Sequence, residues 1–326
     1  MSASPRPHSG AQSPAHPLGV AGPAAPTGPG ARTPLTVGLI GAGRVGAVLG
    51  AALAGTGHHV VAASGVSDAA RRRIAALLPG VGNPPADEVA RVATDLLIIA
   101  VPDDALAGVV SGLAGTGALR AGQVVAHTSG AHGLSVLVPA ADIGARPLAL
   151  HPAMTFTGTA ADLARLPGVS YGVTAPAELR PFAARLVADL GGVPEWISED
   201  DRVLYHAALA HGANHLVTLV NEATDRLREA GVADPARVLG PLLRAALDNA
   251  LHLGDAALTG PVSRGDAGTV ARHLDRLAGT APESVAAYLA LARRTADRAI
   301  DAGRLRPVDA VALLGVLADR QRETVP

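Results

Sequence analysis

Three polar side chains that could move a proton or bind a metal interrupt an apolar stretch, ALAHGANHLVTLVNE, at residues 208–222. They are His211, Asn214 and His215. Residues three and four positions apart lie on one side of a helix, so the spacing predicts that these side chains are neighbours. A metal site, one wall of a catalytic cleft and polar groups satisfied within a core are all compatible with this pattern.

The two histidines have the spacing of helical zinc ligands, but the rest of a zinc site is missing. The corresponding motif places a glutamate directly after the first histidine, whereas this chain has Gly212 there. A third ligand is not evident from the sequence, so we expect no bound metal. His211, Asn214 and Thr218 instead form a polar stripe at helical spacing, which favours one wall of a cleft. We expect His215 to face away from that cleft.

A glycine-rich turn, GAGRVG, lies between the apolar run LTVGLI and the helical pattern AVLGAALAGTG. In such a turn Gly41 permits the tight bend, Gly43 lets the backbone approach a pyrophosphate, and Gly46 allows close helix packing. The N-terminus of the following helix offers free N–H groups and the positive end of the helix dipole to phosphates. This arrangement predicts a dinucleotide site, the alternative being a glycine turn that only the fold needs.

The segment after the second predicted strand indicates which dinucleotide is bound. An NAD site usually has an Asp or Glu about 20 residues further along the chain to hold the ribose hydroxyls. Here that region, AASGVSDAARRR, has neutral Ser64 and Ser67, a later Asp68, and arginines at positions 71–73. Arginine can bind a 2′-phosphate, which favours NADP. The alternative is that these arginines form a solvated helix face.

Alternating strand and helix patterns position these residues. From Leu35 to Glu199, short apolar or β-branched runs alternate with helical patterns, which predicts a doubly wound, mainly parallel α/β domain of the Rossmann type. Beyond Glu199 only helical periodicities remain, separated by Gly and Pro, which predicts an all-α domain. The predicted regions are a disordered Pro-, Ala- and Gly-rich tail at 1–33, an NADP-binding Rossmann domain at 34–197, and a helical substrate and dimerisation domain at 198–322.

Ligands of a doubly wound sheet bind beyond the carboxyl ends of its strands. Three predicted strands end in the polar loops AVPDDAL, HTSGAHG and HPAMTF. We expect Asp103 in the first loop to be a helix N-cap, His127 to lie within its strand, and His151 to lie at the pocket. The predicted cofactor-binding residues are Gly41, Ala42, Gly43, Arg44, Val45, Gly46, Ser64, Val101, Pro102 and Ser129.

Composition excludes several kinds of chemistry and partner. The chain has no cysteine, which rules out disulfides and thiolate chemistry. All 27 residues of the Lys+Arg count are arginine, which rules out Schiff-base catalysis and a P-loop lysine. The net charge of -1 argues against a nucleic-acid partner. With no signal-peptide core and no run of about 18 apolar residues, we expect a soluble, cytoplasmic protein that binds no membrane.

The sequence TGPVSRGD at residues 259–266 lies between predicted helices. Arg264 could bind a substrate carboxylate through two parallel hydrogen bonds, and Ser263 could add a hydroxyl contact. The alternative is a turn shaped by Gly260, Pro261 and Gly265, in which Arg264 pairs with Asp266 or with a cofactor phosphate.

A set of motifs in a fixed order carries a family resemblance: GLIGAGRVG, IIAVPDDAL, HTSG, HPAMTF, AHGANHLVTLVNEA and TGPVSRGDAGTV. In this order they resemble the Rossmann-like and DUF2520 domain proteins over about residues 35–320. These are similar to ketopantoate reductases, and more distantly to pyrroline-5-carboxylate reductases and 6-phosphogluconate-type dehydrogenases. The resemblance implies a Rossmann domain, a C-terminal helical domain and commonly a dimer. It also implies NADP-dependent reduction of a small oxo acid, with 2-dehydropantoate (ketopantoate) reduction to pantoate in pantothenate biosynthesis as the leading candidate.

The better-known relatives present Lys-x-x-x-Asn on the first helix of the second domain, with the lysine as acid or base. Asn214 matches the asparagine, but Ala210 stands at the lysine position. Reduction of a ketone still requires a proton or a strong hydrogen bond at the developing alkoxide. The predicted roles are catalysis by Asn214, His151 and His211, and substrate binding by His206, Arg264 and Ser263. An imine reductase similar to pyrroline-5-carboxylate reductase and a non-catalytic dinucleotide-binding regulatory protein remain alternatives.

Overall fold

The computed structural model describes residues 33–324. The tail predicted at 1–33 lies, apart from Thr33, outside the described residues. The chain divides into two compact units, one containing the residues up to Ser129 together with 134–196, and the other containing 130–133 and 197 onward.

The first unit is a seven-stranded sheet in the order β2-β1-β3-β4-β5-β6-β7. Its pairs are parallel except β5 with β6, which is antiparallel. The strands are β1 (Thr36–Ile40), β2 (His59–Ser64), β3 (Leu96–Ile99), β4 (Val124–His127), β5 (Arg146–Pro152), β6 (Ser170–Thr174) and β7 (Val193–Trp196). The helices are α1 (Arg44–Gly55), α2 (Asp68–Leu77), α3 (Ala86–Val92), α4 (Asp103–Gly115), α5 (Val138–Ala141) and α6 (Arg180–Asp189).

Helices cover both faces of this sheet. Apolar residues of α1, α2 and α6 pack on one face, and those of α3 and α4 pack on the other. Strand β3, LLII, is therefore buried along its whole length, as expected for a central strand of a parallel sheet with two covered faces. The predicted fold class, a mainly parallel Rossmann-type domain followed by a helical region, is confirmed.

The second unit is helical. Its α-helices are α7 (Arg202–Leu209), α8 (His215–Glu229), α9 (Pro235–Leu253), α10 (Ala267–Thr280), α11 (Pro282–Asp301) and α12 (Pro307–Thr324), with a π-helical turn at Ala210–Asn214 between α7 and α8. Helices α10, α11 and α12 share a buried apolar core that includes Val270, Leu274 and Leu313. Of α9 only Pro235 and Leu239 are buried, and no residue of α8 is. Within residues 33–324, no helix combines the length and the apolar character needed to cross a membrane.

Candidate functional site

The glycine turn between β1 and α1 contains two glycines that the fold itself requires. Gly41 has φ +87°, and a Cβ there would lie 2.5 Å from the carbonyl oxygen of Ala100, which follows β3. A Cβ on Gly46 would overlap the carbonyl oxygen of Gly41. Any larger residue at either position would force the turn apart from its neighbours.

Gly43 is different, because nothing in the fold requires a glycine there. Its φ is -72°, which any residue can adopt. A Cβ on Gly43 would meet only the carbonyl oxygen of Gly41, at 3.9 Å. The space next to Gly43 is therefore open, and the main chain of Gly43 borders it without a side chain in between. This is the position at which a Rossmann turn lets a pyrophosphate approach the main chain.

The N-terminus of α1 carries no group that would compete with such an anion. Its N-cap is Gly43, which has no side chain to accept from the first N–H groups, and its first turn holds no acidic residue. By contrast, Ser67 caps α2 and Asp266 caps α10, each by accepting a backbone N–H. The free N–H groups and the positive end of the dipole at α1 thus remain available to phosphate.

The carboxyl ends of the neighbouring strands surround this turn. The N–H groups of Gly41 and Ala42 both donate to the carbonyl oxygen of Ser64, the last residue of β2, at 3.0 and 2.9 Å. Val101, which follows β3, lies close to the turn, because a Cβ on Gly41 would be 3.0 Å from Cγ1 of Val101. At the end of β4 the N–H of Ser129 donates to Nδ1 of His127 at 3.2 Å. His127 is fully buried and lies in β4, as predicted.

The positions of Asp103 and His151 compare differently with what the sequence predicts. Helix α4 begins at Asp103 and its N-cap is Pro102, so the prediction of Asp103 as the N-cap is wrong by one residue. The rigid φ of Pro102 suits the residue that starts a helix, while Asp103 and Asp104 lie in the first turn, where carboxylates favour the dipole. His151 is half-buried within β5, opposite Gly172 of β6.

The three arginines of α2 have different surroundings. Arg71 is exposed and pairs with Asp68 at 3.2 Å. Arg72 is also exposed, whereas Arg73 is half-buried. The solvated-face interpretation therefore fits the first two arginines better than the third.

In the helical unit, His211 and His215 lie together as their spacing predicts. Their Nδ1 atoms are 3.3 Å apart, and their rings meet edge to face with centroids 5.4 Å apart. The expectation that His215 would face away from the wall formed by His211 is wrong in this respect. At this distance one ring can donate a hydrogen bond to the other, which requires a protonated Nδ1 on one histidine and an unprotonated Nδ1 on the other.

The helix that carries these residues is not regular. Residues 210–214 form a π turn, which contains one residue more than an α turn. Regular helical spacing therefore fails across Asn214, and the stripe from His211 through Thr218 does not follow one straight line. Asn214 and Thr218 are exposed, and His206 in α7 is half-buried.

The turn before α10 contains Ser263 and Arg264. The Ser263 hydroxyl is buried and donates to the carbonyl oxygen of Gly260 at 3.2 Å, so it stabilises the turn. Arg264 is exposed. Hydrogen bonds from Thr269 lower the pKa of Asp266, and the charges of Arg272 and Arg264 lower it further. Arg264 thus acts on Asp266 through its charge, as the structural alternative anticipated, while its guanidinium remains accessible.

The helical unit contains a cavity that was not predicted from the sequence. Its volume is about 430 Å³, and α8, α10 and α11 line it with mainly apolar side chains such as Leu219, Leu277 and Leu291. His273 and Tyr288 also line it and share a hydrogen bond of 2.9 Å. No motif joins residues from three separate helices, so only the apolar faces of these helices could have indicated the cavity. Among residues 33–324, no cluster of three or more His, Cys, Asp or Glu side chains could hold a metal.

Comparisons with known proteins match both units. Residues 23–152 match the model of the Rossmann-like domain, and residues 169–295 match that of a domain of unknown function, DUF2520. A comparison with curated proteins gives no match.

Several solved structures have the same fold over most of their length. A candidate NADP oxidoreductase from Bacteroides fragilis is 22% identical, with a TM-score of 0.70, over 81% of this chain and 98% of that one. The 1-pyrroline-5-carboxylate reductase of Streptococcus pyogenes is 20% identical, with a TM-score of 0.55, over 81% and 98%. The pyrroline carboxylate reductase of Plasmodium falciparum, solved with NADP bound, is 12% identical, with a TM-score of 0.52, over 81% and 98%.

At these identities the likeness establishes the fold. Together with the family models, it confirms the resemblance that the ordered motifs carry. The protein combines a Rossmann-like domain with a DUF2520 domain.

Proposed function

We propose that this protein is an NADP(H)-dependent oxidoreductase that reduces a small oxo acid. The observation that carries the proposal is Gly43, a glycine with an ordinary backbone conformation and open space where a side chain would stand. Since the fold does not need glycine there, the need arises from a ligand that approaches the backbone. The pyrophosphate of a dinucleotide, facing the uncapped N-terminus of α1, meets that need.

The end of β2 favours NADP over NAD. The last residue of β2 is Ser64, and the next acidic side chain, Asp68, is engaged with Arg71. A carboxylate positioned for the ribose hydroxyls is therefore absent from the end of this strand, while arginines stand nearby in α2. The predicted cofactor residues at the glycine turn, Ser64, Val101, Pro102 and Ser129 belong to this proposal.

When bound, NADPH supplies the hydride for the substrate carbon. The protein must then hold a proton at the atom that becomes negative. We assign this role to an imidazolium of the His211–His215 pair, with Asn214 donating a hydrogen bond from its amide and His151 as a second candidate donor. A histidine pair is suited to replace a lysine in a chain that contains none.

Arg264 is the proposed anchor of the substrate carboxylate, because its exposed guanidinium can donate two parallel hydrogen bonds. His206 and Ser263 complete the proposed substrate set, with Ser263 acting by shaping the turn that presents Arg264. Among oxo acids we propose 2-dehydropantoate, reduced to pantoate. A cyclic imine such as pyrroline-5-carboxylate is the second candidate, favoured by the fold shared with two pyrroline carboxylate reductases.

Steady-state oxidation of NADPH, followed by its absorbance, tests the function and separates the substrates. Turnover with 2-dehydropantoate and none with pyrroline-5-carboxylate supports the first assignment, and the reverse result supports the imine. Coenzyme binding without turnover of either compound would instead favour a non-catalytic dinucleotide-binding protein. Binding of neither NADPH nor NADH would contradict the whole proposal.

A second copy of the chain is the partner that we propose for the helical unit. Leu247 and Leu251 of α9 are four residues apart, on one side of the helix, and are 53% and 75% exposed. Exposed apolar side chains grouped in this way favour a protein interface. The cavity between α8, α10 and α11 is a complementary apolar surface of the same unit. A twofold axis would let each copy cover the exposed helix of the other, giving a homodimer.

A further inference from the structure

The segment that follows β5 crosses both α1 and α2. Phe156 and Leu166 form a buried apolar cluster with Val48 of α1, and Leu77 of α2 packs against this cluster. The segment is thereby fixed to the two helices that follow the glycine turn and strand β2. Its central turn, residues 157–159, lies between these apolar anchors.

The carboxylate of Asp162 holds that turn in place through hydrogen bonds. Its side chain is fully buried, and Oδ2 accepts the N–H groups of Thr157 and Gly158 at 2.8 and 2.7 Å. Oδ1 accepts the hydroxyl of Thr157 at 2.9 Å. Burial by itself raises the pKa of Asp162, but these hydrogen bonds outweigh that effect and lower it. Asp162 is therefore ionised, and its negative charge strengthens the hydrogen bonds that it accepts from the turn.

The fastened turn lies directly against two arginines. Gly158 has φ +79°, and a Cβ there would lie 2.6 Å from Nε of Arg73 and 3.0 Å from Cα of Arg44. Arg44 is the first residue of α1, and Arg73 precedes Leu77 by about one helical turn. Glycine is needed at 158 both for its backbone conformation and for this close approach.

Both arginines are available to an anion. Neither Arg44 nor Arg73 has a hydrogen bond or ion pair with another residue in the part of the chain that the structure describes. Arg71 and Arg165, in contrast, pair with Asp68 and Asp162. Both arginine side chains pass the same glycine, Arg73 with its Nε and Arg44 with its Cγ, so an anion bound at this turn would be within reach of both.

We propose that Arg44 and Arg73 bind the 2′-phosphate of NADP(H), and that Asp162 is a positioning residue that holds the Thr157–Gly158 turn against them. The inference rests on the proposed function. The hydrogen bonds from Gly41 and Ala42 to Ser64 join the glycine turn to the end of β2, where the adenosine ribose of a Rossmann ligand lies. Arg44 begins α1 after the glycine turn, and Arg73 lies in α2, the helix that follows β2. A phosphate takes paired contacts from guanidinium groups.

The test compares the Kd values of NADPH and NADH for the full-length wild type and for Arg73→Ala, Arg44→Ala and Arg73→Lys. Loss of a charge-assisted contact should weaken NADPH binding by about tenfold to a hundredfold while NADH changes by less than about twofold. Arg73→Lys should recover part of the loss. Arg72→Ala is the matched control, since Arg72 is the exposed neighbour of Arg73 on the same helix, and it should leave both Kd values unchanged.

A comparison of the Kd values of adenosine 2′,5′-bisphosphate and AMP isolates the contribution of the 2′-phosphate to binding. The alanine variants should lose affinity for the bisphosphate alone. Equal losses for NADPH and NADH, or an effect of Arg72→Ala as large as that of Arg73→Ala, would overturn the assignment. Wild-type protein that binds both coenzymes with equal affinity would also overturn it while leaving the proposed oxidoreductase intact, whereas binding of neither coenzyme would remove both.

Asp162→Asn tests the positioning role. The amide keeps the shape of the carboxylate but presents N–H groups to the donors of the turn, so the turn should move away from the arginines. The ratio of the NADH Kd to the NADPH Kd should fall by about fivefold or more. A lower melting temperature with an unchanged ratio would show that Asp162 supports the fold alone.

Discussion

At the scale of single residues, the glycines of the β1–α1 turn are equivalent in the sequence motif and unequal in the structure. Gly41 and Gly46 are required by close contacts with Ala100 and with the turn itself, while Gly43 faces open space. A substitution can therefore separate the requirement of the fold from the requirement of the ligand.

Gly43→Ala should leave the melting temperature nearly unchanged and weaken NADPH binding by about tenfold, because a methyl group would stand where the pyrophosphate approaches. Gly46→Ala should instead destabilise the protein, since its Cβ would overlap the turn. Gly55→Ala at the end of α1, where a Cβ meets nothing within 4 Å, is the control. Calorimetric Kd values together with thermal melts distinguish these effects, and unaltered NADPH binding by Gly43→Ala would contradict the proposal.

A second residue-scale prediction concerns Tyr171 in β6. Its side chain is fully buried, and among residues 33–324 its hydroxyl has no hydrogen-bond partner. An unmade hydrogen bond costs about 1–3 kcal/mol, so Tyr171→Phe should raise the free energy of unfolding by roughly 1 kcal/mol. Tyr288→Phe, which removes a hydroxyl bonded to His273, should lower it by a similar amount. Urea denaturation measures both, and destabilisation by Tyr171→Phe would show that the hydroxyl has a partner.

The same tyrosine predicts a pH dependence. Burial raises the pKa of Tyr171 above its ordinary value of 10.0. Because the unfolded chain loses this proton first, the contribution to stability is fully present below pH 10 and is lost as the pH rises above it. Urea midpoints measured between about pH 9 and pH 11 should therefore fall less steeply for Tyr171→Phe than for the wild type.

At the scale of elements, the π turn at Ala210–Asn214 decides where the polar residues of the second domain point. Deleting Gly212 should convert this turn into regular α-helix and rotate Asn214 by about 100° relative to the residues before it. Helix content by circular dichroism should persist while NADPH-dependent turnover is lost. Gly212→Ala keeps the residue count and meets no neighbour within 4 Å, so it should retain turnover. An active deletion variant would exclude a catalytic role for this geometry.

At the scale of the whole molecule, the exposed face of α9 predicts the oligomeric state. Leu247→Glu combined with Leu251→Glu should convert a homodimer into a monomer, since charges at a buried interface are costly to desolvate. Val308→Glu in α12 is the control, because this side chain is 71% exposed and lies at a helix start that favours a carboxylate. Light scattering after size-exclusion chromatography measures the mass, and a wild-type monomer at micromolar concentration would contradict the dimer.

The sequence by itself determined the architecture and the position of the glycine turn. Apolar residues recur with a different period in strands and in helices. Because the elements of this chain follow these two periods, the alternation of strands and helices up to Trp196 and the helices after it could be predicted. The glycines of the motif indicated where the turn lies, because Gly41 has a positive φ angle, a conformation that favours glycine. Local rules suffice where the interactions are local.

Only the tertiary structure decided which residues meet. Arg44, Arg73, Gly158 and Asp162 are far apart along the chain, and no spacing rule connects them, yet the segment after β5 brings them together. The π turn at Ala210–Asn214 could not be predicted from the sequence either, although it is local. One extra residue in a turn leaves the sequence pattern helical but changes the direction of every side chain that follows. Contacts between distant segments are selected by packing, and packing is a property of the whole fold.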